Sequence, residues 1–224
     1  MKAKQAAADK AVEFIKDGMV VGLGSGSTSY WAIRKLADRV QEGLEIRAVA
    51  SSKSSEELAI QWGIPIVTFA EISVIDITID GADEVDPDFN LIKGGGGALL
   101  REKILAASSH KFIVIIDESK LVNTLGEYPL PVEIVPFAAE LTLKKLEALQ
   151  CKPVIRKKDE KVFFTDNGNL IIDCKFKEIA NPKEQSEILS SIPGVVDHGL
   201  FIQMTDTVIV GNDDGTTRFL NKRN

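Results

Sequence analysis

Cysteine, histidine and aromatic residues are all scarce in this 224-residue chain. Its two cysteines, Cys151 and Cys174, are too few for a disulfide framework and are expected as reduced thiols in a cytoplasmic protein. With only His110 and His198 beside them, a zinc cluster lacks ligands, and no metal is expected. Basic charge is not in excess either: 27 Lys+Arg against 33 Asp+Glu leave a formal net charge of −6. That balance argues against a nucleic-acid binder, which needs clustered positive charge. Long apolar runs are missing, and the opening stretch MKAKQAAADKAVEFIKDG carries charges throughout, so neither a signal peptide nor a membrane span is expected. What remains is ordinary globular composition, 44% hydrophobic and 27% charged. A chain this long buries about 70% of its unfolded surface and needs neither disulfide nor metal to fold.

The first half alternates short apolar runs with helical periodicity. Strands are expected at Met19–Leu23, Ile46–Ala50, Ile64–Phe69, Val74–Ile79 and Phe112–Ile116. Helices are expected at Thr28–Val40, Ser55–Trp62 and Ala98–Ala107. Strands that read as nearly unbroken apolar runs are buried on both faces, as in a parallel sheet covered by helices. The fold class is therefore α/β, with a doubly wound Rossmann-like main domain. Pro129 and Pro131 mark a boundary, after which the order becomes strand (Val132–Val135), helix (Ala138–Leu149), strand (Pro153–Arg156), a hairpin turning at Asp166-Asn167-Gly168, helix (Lys183–Ser191) and strand (Val195–Gln203). That order approximates the split β-α-β-β-α-β motif of a smaller α+β, ferredoxin-like domain. A last hairpin, Thr207–Val210 and Thr216–Leu220, is expected to return to the first sheet. The expected division is 1–128 plus 205–224 for the main domain and 129–204 for the smaller one.

Three glycine or acidic segments carry chemistry. Gly22-Leu23-Gly24-Ser25-Gly26-Ser27-Thr28 joins a strand to a helix, where bare N–H groups and a helix start favour an anion. The dinucleotide fingerprint wants glycine at Ser27 and an acidic residue where Ser51 and Ser52 stand; the nucleotide phosphate loop wants a lysine that is absent. A small phosphate ester held by Ser25, Ser27 and Thr28 fits, as does a plain turn capped by Thr28. Asp80-Gly81-Ala82-Asp83-Glu84-Val85-Asp86 follows a strand, at the end where open α/β sheets bind ligands. Its carboxylates suit sugar hydroxyls, proton transfer or, less well, a divalent cation, and most such runs are solvated loops. Lys93-Gly94-Gly95-Gly96-Gly97 leads into a helix; four consecutive glycines carry an entropic cost that packing rarely justifies. Their N–H groups and Lys93 suit a developing oxyanion. On that helix Glu102 shares a stripe with Leu99 and Ala106, where burial would raise its pKa toward that of a general base. Lys120 follows the strand Phe112–Ile116 and suits a phosphate or an enolate; Lys4 is a fainter candidate, and both histidines read as structural or surface.

Together these segments resemble the A-type ribose-5-phosphate isomerases. The matching stretches are GLGSGST (22–28), DGADEVD (80–86), KGGGGALLREK (93–103), DESKLV (117–122), GEYPLPVE (126–133), TDNGNLIID (165–173) and IPGVVDHGLF (192–201). The resemblance implies interconversion of ribose 5-phosphate and ribulose 5-phosphate through an enediolate, in the non-oxidative pentose phosphate pathway, without cofactor or metal. It implies substrate binding by Ser25, Gly26, Ser27, Thr28, by Asp80, Gly81, Ala82, Asp83, by Lys93, Gly94, Gly95, Gly96, and by Lys120. It places the base at Glu102, with Asp80, Asp83 and Lys93 assisting, and a homodimer or tetramer as the assembly. Two departures stand out: Ser25 where many members have threonine, and Gly97 where alanine is frequent, which is expected to loosen the helix start. The alternative is a non-catalytic sugar-phosphate sensor, which would have no use for a base at Glu102.

Overall fold

A computed structural model describes residues 1–220; positions 221–224 of the expected 205–224 segment lie outside the described residues. In chain order the elements begin with α1 (Lys2–Val12), β1 (Val20–Leu23), α2 (Gly26–Gln41), β2 (Arg47–Ala50), α3 (Lys53–Gln61) and β3 (Ile77–Gly81). Next come β4 (Glu84–Val85), β5 (Leu91–Ile92), α4 (Leu99–Ala107), β6 (Phe112–Asp117), β7 (Leu130–Ile134), α5 (Ala139–Glu147) and β8 (Lys152–Ile155). They end with β9 (Lys157–Lys158), β10 (Lys161–Val162), β11 (Leu170–Lys175), α6 (Pro182–Ser190), β12 (Val195–His198), β13 (Leu200–Phe201), β14 (Thr207–Gly211) and β15 (Thr217–Leu220). The chain forms two compact units: Met1–Ala82, Arg101–Leu121 and Met204 onward make one, Asp83–Leu100 and Val122–Gln203 the other.

The first unit is a six-stranded sheet in the order β15-β14-β6-β3-β1-β2, parallel except for the antiparallel edge strand β15. Strand order reverses between β1 and β3, because β2 extends the sheet on one side of β1 and β3 on the other. The carboxyl ends of that pair are where a doubly wound sheet opens a crevice. Ile77, Ile79, Ile113, Ile115 and Ile209 are buried in the core with Ile33 and Leu36 of α2. The helix α1, not anticipated from periodicity, presents Ala7, Ala8 and Ala11 to that core. Such small side chains permit close approach: a Cβ on Gly211 of β14 would lie 1.9 Å from the Ala3 carbonyl oxygen. The expected strand at Ile64–Phe69 does not form; Ile66 makes a single bridge to Ala48, and Phe69–Glu71 is a 3-10 turn closed by Thr68 and Glu71.

The second unit pairs β12-β7-β11-β8 antiparallel, with α5 and α6, which is the split motif expected of a ferredoxin-like module. Gly168 takes the positive φ of the hairpin turn at +79°, whereas Asn167 does not. The expected strand Val195–Gln203 is divided, since Leu200–Phe201 leave β12 to pair with Leu91–Ile92 in a small sheet β13-β5-β4. That sheet draws 83–100 into this unit, and Leu125, buried beside Ile179, draws in 122–128. Both stretches belong to the main domain in the sequence-based division. Glu84 fastens the second of them by accepting the N–H groups of Gly126, at 2.7 Å, and Tyr128. Burial of that carboxylate holds its pKa above the ordinary value of 4.5, against the pull of the two N–H groups.

Candidate active site

In the first unit the glycine turn and β3 interlock through missing side chains. A Cβ on Gly22 would lie 1.9 Å from the Thr78 hydroxyl oxygen, and one on Gly24 2.1 Å from Asp80 Oδ1. The Asp80 carboxylate, 1% exposed, takes that space. Its Oδ1 accepts the Ser25 N–H at 3.0 Å, the Ser29 hydroxyl at 2.8 Å and the Gly81 N–H at 2.8 Å. Ser55 adds a bond from its hydroxyl to the Gly24 carbonyl at 2.7 Å. The turn is thus fixed from both sides, at the carboxyl ends of β1 and β3.

Glu102 is 3% exposed, so it is not the solvated helix glutamate its position alone would favour. Its Oε1 accepts the Ser25 hydroxyl. Ser25 is the residue before α2, yet its side chain makes no capping bond and serves Glu102 instead; Thr28 does not cap the helix either. Ser25, Asp80 and Glu102 are therefore joined, Ser25 touching one carboxylate through its N–H and the other through its hydroxyl. Gly26 has a φ of +84° that keeps the turn open, and Ser27 accepts the Lys4 ammonium at 2.9 Å. Thr28 lies close to Gly81, its Cβ 3.5 Å from where a Cβ there would be. A cavity of about 570 Å³ opens here, lined by Lys4, Gly26, Ser27, Tyr30, Trp31 and Ser54 among others. Lys120 ends the 3-10 turn after β6, and among the described residues no hydrogen bond joins it to these groups.

In the second unit Asp83 Oδ2 accepts the Gly95 N–H at 2.8 Å. Lys93, 3% exposed, has its ammonium 5.4 Å from the Phe201 ring centre, and its N–H donates to the Gly199 carbonyl at 2.9 Å. Gly94, at φ +100°, and Gly97, at φ +83°, close a turn through a 2.9 Å bond from the Gly97 N–H to the Gly94 carbonyl. A Cβ on Gly97 would meet the Phe163 ring at 2.5 Å, so this glycine lets the turn pack tightly and does not loosen the helix start. Tyr128 and Arg156, neither singled out in the sequence, touch the same turn, and Asp173 pairs with Arg156: the Tyr128 hydroxyl would lie 2.7 Å from a Cβ on Gly95. Burial first, then the Asp83 charge, push the Tyr128 phenol above its ordinary 10. From the acidic run, Glu84 and Asp86 serve the backbone, Asp86 accepting the N–H groups of Asp88 and Asn90. His198 is buried against Ser186 and Ser190, a structural position. Among the described residues no three His, Cys, Asp or Glu side chains gather as a metal site.

A buried carboxylate at a sheet switch point, hydrogen-bonded to the glycine turn after β1, suits proton transfer on a small polar substrate. The sequence profile of the family "ribose 5-phosphate isomerase A (phosphoriboisomerase A)" matches residues 47–215. The chain belongs to this family. A ribose-5-phosphate isomerase A of Bacillus mycoides is 53% identical over 220 residues, covering 98% of this chain and all of the relative. The ribose 5-phosphate isomerase A structure of Methanocaldococcus jannaschii superposes with a TM-score of 0.92 at 42% identity, over 98% of each chain. A D-ribose-5-phosphate isomerase solved in complex with phospho-erythronic acid superposes with a TM-score of 0.93 at 41% identity, covering 98% of this chain and 97% of that one. As a member of the ribose 5-phosphate isomerase A family the chain is an enzyme, an isomerase, with the α/β fold expected of it. Among the described residues no helix is long and apolar enough to cross a membrane.

Proposed function

We propose that the chain interconverts ribose 5-phosphate and ribulose 5-phosphate, with Glu102 as the single base that moves the proton between carbons 2 and 1. The observation that carries this reading is the buried Glu102 carboxylate, bonded to Ser25 of the glycine turn beside Asp80. In the forward direction Glu102 takes the proton from carbon 2, and the electron pair of that bond forms the carbon 1–carbon 2 double bond of an enediolate. Negative charge passes to the carbon 1 oxygen. The carbon 2 hydroxyl passes its proton to the carbon 1 oxygen and Glu102 returns a proton to carbon 1, leaving a ketone at carbon 2 and an alcohol at carbon 1; one carboxylate serves both carbon transfers. Lys93 and the glycine turn just before α4 in the chain, whose Gly95 and Gly97 N–H groups hold its shape and whose Gly96 N–H faces outward, stabilise the oxygens as charge develops.

Asp80 and Asp83 orient hydroxyls and assist ring opening. Ser25, Ser27, Thr28 and Lys120, with Lys4 already on the Ser27 hydroxyl, hold the phosphate, whose binding energy fixes the reacting carbons. Every step uses side chains and amides, and none is assigned to a cofactor. The free, buried thiols Cys151 and Cys174 fit a cytoplasmic setting, and the exposed Phe137 and Leu141 of the second unit fit a homo-oligomeric contact.

The test is formation of ribulose 5-phosphate from ribose 5-phosphate in chelator-treated buffer by wild type and Glu102→Gln. Wild type is expected to turn over, and the variant to lose at least about a hundredfold in kcat, the usual scale for a removed general base. Full rate in Glu102→Gln would displace the base to Asp80 or Asp83. Binding without conversion by wild type would leave the sensor alternative standing.

A further inference from the structure

Arg156 follows β8, 59 residues beyond the end of the glycine turn, yet its side chain reaches that turn. Asp173 stands on the neighbouring strand β11, opposite Val154 in the register, and β8 and β11 continue as far as a 2.8 Å bond from the Arg156 N–H to the Ile171 carbonyl. The two side chains form a fork-to-fork pair: Arg156 Nε donates to Asp173 Oδ2 at 2.9 Å and Nη2 donates to Oδ1. This fixes the plane of the guanidinium. The remaining nitrogen, Nη1, donates to the Gly94 carbonyl at 2.8 Å and the Gly95 carbonyl at 3.0 Å. With 13% of its side chain exposed, Arg156 makes these bonds largely out of water.

The geometry points to Arg156, held by Asp173, as a positioning residue for the anion-binding amides of the glycine turn. The inference rests on the reading that this turn stabilises the enediolate. In a trans peptide the carbonyl and the following N–H point in opposite directions. Pinning the Gly94 carbonyl therefore aims the Gly95 N–H away from the guanidinium, and it is found on Asp83 Oδ2 at 2.8 Å. Pinning the Gly95 carbonyl aims the Gly96 N–H away in the same manner. Gly96 is exposed, and among the described residues nothing accepts its N–H. Four consecutive glycines populate both signs of φ, so without a clamp each peptide plane can turn over. Donors stabilise a transition state only when they are already aimed, and one such donor is commonly worth about a hundredfold or more in rate. A lysine offers one charged point where the arginine offers a planar fork, and it cannot hold the carboxylate and both carbonyls together. Because Asp173 neutralises Arg156, the effect is one of orientation and not of added positive field.

The experiment compares Arg156→Lys, Arg156→Ala and Asp173→Asn with wild type and Glu102→Gln, all per folded molecule by circular dichroism. The readouts are kcat, KM and the inhibition constant of phosphoerythronic acid, whose carboxylate places negative charge where the enediolate would have it. Arg156→Lys is expected to lose about ten- to a hundredfold in kcat with KM within about threefold, the pattern of an interaction made in the transition state. Phosphoerythronic acid affinity falls in parallel, and added guanidinium ion restores part of the kcat of Arg156→Ala. A folded Arg156→Lys with kcat within twofold of wild type overturns the inference, as does a raised KM at unchanged kcat. If Arg156→Lys does not fold, Asp173→Asn, which keeps the shape of the carboxylate, is judged by the same two criteria. Should wild type itself fail to isomerise, the proposed function falls; should wild type and Glu102→Gln behave as expected while the clamp variants keep full kcat, only the positioning role falls.

Discussion

Gly24→Ala isolates the fit between the glycine turn and Asp80. The backbone at Gly24 has no positive φ, so alanine adopts it without strain and the effect is steric. The new methyl carbon would lie 2.1 Å from Asp80 Oδ1, 2.3 Å from Cγ and 2.6 Å from Cβ, where ordinary contact begins at 3.4 Å. Relief requires the carboxylate to move by more than an ångström, which carries Oδ1 out of reach of the Ser25 N–H, the Ser29 hydroxyl and the Gly81 N–H. Each hydrogen bond to a charged acceptor is worth about 1.5–3 kcal/mol, and partial rehydration of the displaced groups returns some of it. The expected loss is about 3–5 kcal/mol, at the high end for a single substitution. In a chain of this size that lowers Tm by roughly 6–20 °C. Urea unfolding followed by the fluorescence of Trp31 and Trp62, the two tryptophans and both in the first unit, reads the change directly. Asp80→Gly removes the three atoms nearest the new methyl, so in the double variant the costs must fall short of additivity by at least about 2 kcal/mol. A Gly24→Ala protein within about 1 kcal/mol of wild type, or two costs that simply add, would refute the reasoning.

Two further perturbations probe the second unit. With Tyr30 replaced by phenylalanine, Tyr128 is the remaining tyrosine, and its tyrosinate absorbance should titrate with a midpoint above 10, pushed there by burial and by Asp83. A phenol whose folded value is raised contributes stability that is complete below pH 10 and is lost as pH rises through the folded value. Asp83→Asn should lower the midpoint; a midpoint at or below 10, or one indifferent to Asp83, contradicts the placement of these groups. Gly199→Ala would put a methyl carbon 2.2 Å from the Lys93 carbonyl oxygen, a backbone atom, and 2.9 Å from the Pro131 ring. Displacing the Lys93–Gly97 turn by even a fraction of an ångström should lower kcat at least about tenfold in steady-state assays, and near-full activity would show that the turn tolerates movement.

Elements whose burial relies on large apolar side chains could be read from the sequence, as β6, β14 and the helix α2 show. The helix α1 could not, because its core face is made of alanines, which carry little periodic signal between lysines and an aspartate. Ile64–Phe69 has the composition of a strand, yet only Ile66 finds a bridge, and Phe69 turns outward. Among candidate site residues, Glu102 was marked by its stripe with Leu99 and Ala106, and its burial follows from that stripe. Arg156 and Asp173 left no such mark. Their role depends on β8 and β11 lying side by side, and no local pattern in either segment anticipates the carbonyls of Gly94 and Gly95. Tyr128 was visible only as part of a longer matching stretch, since one phenol beside two prolines reads as a loop residue.

The sheet of the first unit has a consequence for how the chain is made. The strand β14 lies against β6, and α1 packs on β14 with the Ala3 carbonyl oxygen 1.9 Å from where a Gly211 side chain would start. The helix α1 therefore leaves the ribosome well before β14, a strand it packs on, with the whole of Val122–Gln203 emerging in between. The later unit has most of its strands in one unbroken stretch and is free to condense first. The nascent sheet meanwhile carries β6 with one side unpaired, the kind of exposed edge that draws neighbouring chains together in crowded synthesis. Vectorial translation thus works against the first unit and with the second, an order of events set by where two strands fall in the chain.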